Sequence, residues 1–221
     1  MLLLQTIMVI LVVIALWVAR RDVASVFWPK FIEERQFQHL TYAVMLCLFL
    51  LWSAQAGIKP GLNIHFLALT TLTLMYGWKV AFLLTIPVSL ILALVGNLNW
   101  SALADYLALS CLLPIIISHI VFTASYRWLP RNIFVFIFVA GFINGALTGS
   151  LHLLAISLYH LGIQNHTWND IQNNYLIFLP LLAFPEALLN GMAVTLLSVF
   201  QPQWLRAFSD KDYIYNHYHN D

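Results

Sequence analysis

Three polar side chains stand out in a chain that is 62% hydrophobic and 9% charged: His65, His152 and Glu186. An ionisable group in hydrocarbon costs on the order of 3 kcal/mol, so each needs a reason to be there. His65 comes three residues after Leu62, where the third apolar segment begins, and follows Gly61 and Asn63. A neutral imidazole at the mouth of a cavity, with the Asn63 amide beside it, suits nickel, cobalt or copper, ions that favour nitrogen ligands. His152 ends a stripe in which Asn144, Thr148 and His152 recur every four residues and share one helical face. It reads either as a packing group satisfied inside a bundle or as a further metal ligand. Glu186 sits eleven residues into the last apolar segment, directly after Pro185, with Asn190 one turn further on the same face. Because proline removes a backbone donor and opens a helix locally, the carboxylate either faces a polar cavity, where it joins Asn63 and His152 as a further contributor to a metal site at His65, or, protonated, bonds a freed carbonyl.

The remaining reactive side chains point to less. His119 is a packing group unless, with His152, it ligates haem iron axially. His160 and His166 fall near the outer surface, and His217 and His219 lie in the tail. Cys47 and Cys111 are inside apolar segments with no metal-binding Cys pair nearby, so neither a disulfide nor a zinc site is expected. No nucleophile has a base at suitable spacing, and Glu186 alone is no catalytic constellation, so no enzyme is expected. No Gly-x-x-x-x-Gly-Lys-Ser/Thr loop occurs, so any ATP is hydrolysed by a partner. A net charge of +1 gives no electrostatic case for nucleic acid.

The elements that must hold these groups are read from hydropathy. Apolar segments run approximately over Leu2–Ala19, Leu40–Ala56, Leu62–Tyr76, Val80–Val95, Tyr106–Tyr126, Ile133–His160 and Tyr175–Phe200. Most approach the ~20 residues that cross a hydrocarbon core. Arg20, Arg21, Lys30 and Arg35 follow the first segment, Lys79 the third, Arg127 and Arg131 the fifth, and Arg206 and Lys211 the seventh; Lys59 alone lies in an alternate gap. Since positively charged loops stay cytoplasmic, the pattern predicts an all-α membrane bundle of seven transmembrane helices, N-terminus outside and C-terminus cytoplasmic. Residues 1–200 form one integral membrane domain and residues 201–221 a cytoplasmic tail. The first segment has no basic region before it and no small-residue cleavage site after it, so it is expected to stay attached. The third is short enough to break or to line a cavity. Arg20–Gln38 mixes Phe27, Trp28, Phe31 and Phe37 with charges and suits the membrane interface. Gly141, Gly145 and Gly149 leave a groove that serves either helix packing within the bundle or docking to another subunit.

The run Gly57-Ile58-Lys59-Pro60-Gly61-Leu62-Asn63-Ile64-His65-Phe66-Leu67-Ala68, with Gly77-Trp78 twelve residues on, resembles a stretch of the CbiM/NikM-type membrane subunits of energy-coupling-factor nickel and cobalt transporters. There a similar Pro-Gly turn leads to a metal-ligating His and then to a Gly-Pro-Trp turn. The run Phe184-Pro185-Glu186-Ala187-Leu188-Leu189-Asn190-Gly191 is similar to the family's Gly-Glu-Gly segment, with Glu186 matching its Glu. The likeness extends from Leu2 to about Phe200. It implies a substrate-binding permease component for nickel or cobalt uptake in the bacterial inner membrane, with His65 as a metal ligand and no covalently bound cofactor. It also implies partners: the lipid bilayer, a transmembrane coupling subunit and cytoplasmic ABC-type ATPases. Family members open Met-His-Ile-Pro-Asp-Gly and use the terminal amine and second-residue His as nitrogen donors, whereas this sequence opens Met1-Leu2-Leu3-Leu4. Of the donors implied by the family, His65 is the one present. A membrane scaffold or metalloprotein assembly factor that keeps the fold without transporting is the alternative.

Overall fold

A computed structural model describes residues 2–57 and 61–213. Lys59, read above as the lone cation of its side, and the tail histidines His217 and His219 lie outside the described residues. The described chain is helical, without a strand; a single antiparallel bridge joins Ala56 to Ile64. The helical runs are α1 (Leu3–Glu33), α2 (Arg35–Ser53), α3 (Leu69–Tyr76), α4 (Trp78–Leu94), α5 (Trp100–Trp128), α6 (Ile133–Gly162), α7 (Trp168–Phe200) and a short α8 (Asp210–Tyr213). Of these, α1, α5, α6 and α7 are long and apolar enough to cross a membrane, and α4 is a shorter apolar helix. The outward faces are greasy: Val13, Trp17, Leu46, Phe138, Leu181 and Leu196 are all exposed. Among the buried residues are Thr70, Ser118, Asn144, Thr148 and Asn190, the arrangement expected when the surrounding solvent is lipid and polar groups must find partners inside.

The third apolar segment does not make a spanning helix. Its first half, residues 62–68, is irregular, and helix begins only at Leu69. Ala68 carries the chain into that helix with φ 54°, a left-handed conformation that costs a residue with a Cβ about 1–2 kcal/mol. What holds it is contact with α7. The Leu67 and Ala68 amides donate to the two oxygens of Glu186 at 2.9 and 2.8 Å, and the Thr71 amide donates to Asn190 Oδ1 at 2.9 Å. These are amides at the start of a helix that have no partner within it.

The other end of α3 is closed in the same way. Ala207 and Arg206 donate their backbone amides to the Leu74 and Met75 carbonyls, and Arg206 Nη1 reaches the Tyr76 carbonyl at 3.2 Å while pairing with Asp22 at 2.8 Å. Hydrogen bonding by the Asp22 carboxylate holds the Arg206 guanidinium above its ordinary pKa. An acid at the N-terminus and a cation at the C-terminus both complement the dipole of this helix. Gly77, at φ 77°, then turns the chain sharply into α4. Phe27 and Phe37, from the aromatic-rich stretch expected at the interface, pack on Tyr76, and Tyr213 of α8 stacks on Phe208 with ring centroids 5.4 Å apart.

The glycine groove of α6 is filled by the chain's own α7. A Cβ at Gly145 would stand 3.0 Å from the Glu186 carbonyl oxygen, and one at Gly149 would stand 3.1 Å from Glu186 Cγ. Small residues here let two helices close on one another, and that approach carries Glu186 and Asn190 to α3.

Candidate metal site

His65 lies on the irregular stretch before α3, fixed between the fully buried Leu62 and Leu67, with the Leu67 carbonyl accepting from Trp52 Nε1 at 3.1 Å. Its ring is buried against three aromatic neighbours. Trp52 lies at a centroid distance of 6.1 Å, Tyr106 at 6.0 Å, and His152 at 6.4 Å with the two imidazole planes inclined by only 28°. Nε2 of His65 is 2.9 Å from the Tyr106 hydroxyl, while Nδ1 is buried with no hydrogen-bond partner. A buried polar atom without a partner costs about 1–3 kcal/mol and calls for a role.

His152 is held differently. Its Nδ1 is 3.2 Å from the Leu109 carbonyl. A carbonyl only accepts, so Nδ1 carries the proton and Nε2 of the neutral ring is left with the lone pair. The Leu109 carbonyl is free to accept because α5 is π-helical over Tyr106–Leu112. There the Leu113 amide reaches back five residues to the Ala108 carbonyl, and the next residue, Pro114, has no N–H to give to Leu109. The rest of the polar stripe is structural: Asn144 Nδ2 donates to the Ser118 carbonyl at 3.1 Å, and Thr148 donates to Asn144 Oδ1 at 3.2 Å.

Of the four residues expected at a metal, the structure therefore brings His65 and His152 together. Glu186 is one stretch of backbone away, and both its oxygens are engaged: Oε2 by the Leu67 amide, Oε1 by the Ala68 amide and Asn190 Nδ2. It neither faces an open polar cavity nor bonds a freed carbonyl. Asn63 is exposed and donates to Gln55 Oε1 at 3.2 Å. His119 is elsewhere, tilted on Trp78 at 6.3 Å and lining a separate cavity of about 270 Å³ at the Arg206 end, so it does not join His152. Tyr106, marked in the sequence only as the start of an apolar segment, is the unforeseen member; nothing local to it announces a partner forty-one residues away.

A cavity of about 330 Å³ opens beside His65, walled by Ala54, Ile64, Phe66, Phe178 and Leu182. Among the described residues no three His, Cys, Asp or Glu side chains stand close enough to enclose a metal ion by themselves. The buried imidazole pair, of which His65 lines this cavity, thus lies inside a helical bundle with apolar outer faces. Residues 2–204 match the family described as the cobalt uptake substrate-specific transmembrane region, and the chain belongs to this CbiM family. That makes it a membrane component of cobalt and nickel uptake, from a family of transporter components, not of enzymes. No curated protein and no solved structure matches the chain.

Proposed function

We propose that this protein is the substrate-binding permease component of a nickel or cobalt uptake system in a bacterial inner membrane. In this reading residues 1–200 form one domain that crosses the bilayer seven times, N-terminus outside and tail inside, with the broken third segment as one of the crossings. The metal is bound at His65 Nδ1, the buried nitrogen that has no protein partner, and this single observation carries the proposal. His152 Nε2 is the second ligand. With metal–nitrogen bonds of about 2 Å on each side, two imidazoles whose centroids lie 6.4 Å apart can share one ion.

Tyr106 takes the role of the outer partner that metal-bound histidines nearly always have: by accepting from Nε2–H it leaves the Nδ1 lone pair for the ion. Glu186 contributes by holding the backbone that carries His65, and Asn63 by ordering the approach through Gln55. Lacking a P-loop of its own, the protein works with a transmembrane coupling subunit and cytoplasmic ABC-type ATPases. The test is cobalt accumulation by intact cells that depend on this protein: His65→Ala, present in the membrane at the wild-type level, should abolish it. Accumulation at the wild-type rate would remove His65 from the pathway.

A further inference from the structure

At the C-terminal end of α3, away from His65, basic side chains gather over aromatic rings. Arg20 stands over Trp17 at 5.0 Å, Lys30 over Phe37 at 4.8 Å, Lys79 over Trp78 at 5.8 Å and Arg131 over Tyr126 at 4.2 Å. One set of contacts joins them. Arg206 bonds Asp22 and the Tyr76 carbonyl, Phe37 packs on Tyr76, and Tyr213, stacked on Phe208, packs on Tyr126. Aromatic rings paired with long basic side chains mark a membrane boundary, where the ring lies at headgroup level and the charge reaches lipid phosphates.

Lys79 differs from the other three cations because it also lines the cavity of about 270 Å³, with Asp22, Trp78, His119, Phe122 and Arg206. Asp22 is taken up by Arg206, whose Nη1 and Nη2 reach its two oxygens at 2.8 and 3.2 Å. Lys79 has no ion pair among the described residues. Two cations against one carboxylate leave this cavity with a positive charge in excess. Partly enclosed, that charge is screened less than one on an open surface. The remaining wall is aromatic, with the Trp78 and His119 rings 6.3 Å apart. Ile120, next to His119 on α5, is exposed, so an apolar helix face adjoins the cavity. The ligand that suits such a site carries anionic oxygens for an ammonium and a guanidinium and an apolar body for the neighbouring face. A phospholipid has both.

We propose that this cavity binds the headgroup phosphate of an anionic phospholipid between Lys79 and Arg206. In the orientation proposed above this end meets the inner leaflet, whose anionic lipids present such headgroups. The site is separate from His65 and does not depend on what His65 binds.

Native mass spectrometry of the full-length protein in detergent, titrated with phosphatidylglycerol, phosphatidylcholine or inorganic phosphate, reads the affinity for the first ligand bound. The wild type is expected to prefer phosphatidylglycerol to both. Lys79→Gln should weaken phosphatidylglycerol about fivefold, the weight of one basic residue beside an anionic lipid, and Lys79→Arg should restore it. Asp22→Asn should act in the opposite sense and tighten binding by a similar factor, because it takes the carboxylate out of the cavity; loss of packing alone would not do this. Arg35→Gln, the same loss of charge at an exposed position outside the cavity, should change affinity by less than about twofold. Equal affinity for the two lipids, or equal losses in Lys79→Gln and Arg35→Gln, would reduce the effect to diffuse attraction and overturn the site. Inorganic phosphate binding as tightly as phosphatidylglycerol, with the same dependence on Lys79, would give the cavity to a soluble phosphate and overturn the lipid.

Discussion

Glu186–Asn190 and His65–His152 are both buried polar pairs flanking the same seven residues of irregular backbone, and they differ in one respect. Every acceptor of the first is in use. Glu186 takes the Leu67 and Ala68 amides and Asn190 Nδ2, while Asn190 takes the Thr71 amide and hydroxyl and donates to the Glu186 carbonyl. The second pair is half satisfied: each imidazole has one nitrogen engaged, and His65 Nδ1 is open. A polar cluster whose atoms are all bonded within the chain holds backbone in place. An unsaturated one keeps a nitrogen free for a ligand or an ordered water. The saturated pair fixes the backbone on which His65 is mounted.

Breaking the architectural pair should produce the largest effect. Glu186→Ala strands two buried amides at about 1–3 kcal/mol each and releases the left-handed Ala68, so thermal unfolding in detergent should show a loss of roughly 2–6 kcal/mol. If unfolding is unchanged, Glu186 is not what holds the backbone before α3. Tyr106→Phe acts on the functional pair instead. It removes only the partner of His65 Nε2, and cobalt affinity should fall about 10- to 100-fold, the usual weight of such an outer partner, with the unfolding temperature nearly unmoved. Isothermal titration with cobalt reads the first and a thermal melt the second; a large stability loss with intact affinity would exchange the roles of the two clusters. The smallest effect belongs to Asp22→Asn at the far end of α3. Arg206 keeps its bond to the Tyr76 carbonyl and the pair is partly exposed, so the change should stay within about 1 kcal/mol, as measured by the same melt.

The sequence made His65 and His152 visible because a titratable group in a long apolar segment is conspicuous by cost alone. It also marked the third segment as short. It did not show where that segment breaks, because the break is held by Glu186 from 119 residues away. Glu186 is equally conspicuous in the sequence, but whether its oxygens have partners within the chain depends on the packing of α6 on α7, which brings it to the Leu67 and Ala68 amides. Tyr106 carried no local signal. The orientation of His152 was partly legible in retrospect, since Pro114 leaves the Leu109 carbonyl without a donor, but only once α5 is known to be π-helical there. The glycine repeat announced close helix packing without saying whose, and α7 of the same chain is the answer.

The most direct measurement is elemental analysis of protein purified from cells supplied with cobalt and nickel, beside His65→Ala prepared identically and shown by its thermal melt to be folded. Near-stoichiometric metal in the wild type that disappears from the folded variant is the predicted result, and it would name the ion. Equal metal in both, or none in either, would contradict the assignment of the open nitrogen of His65 as the place where the substrate is held.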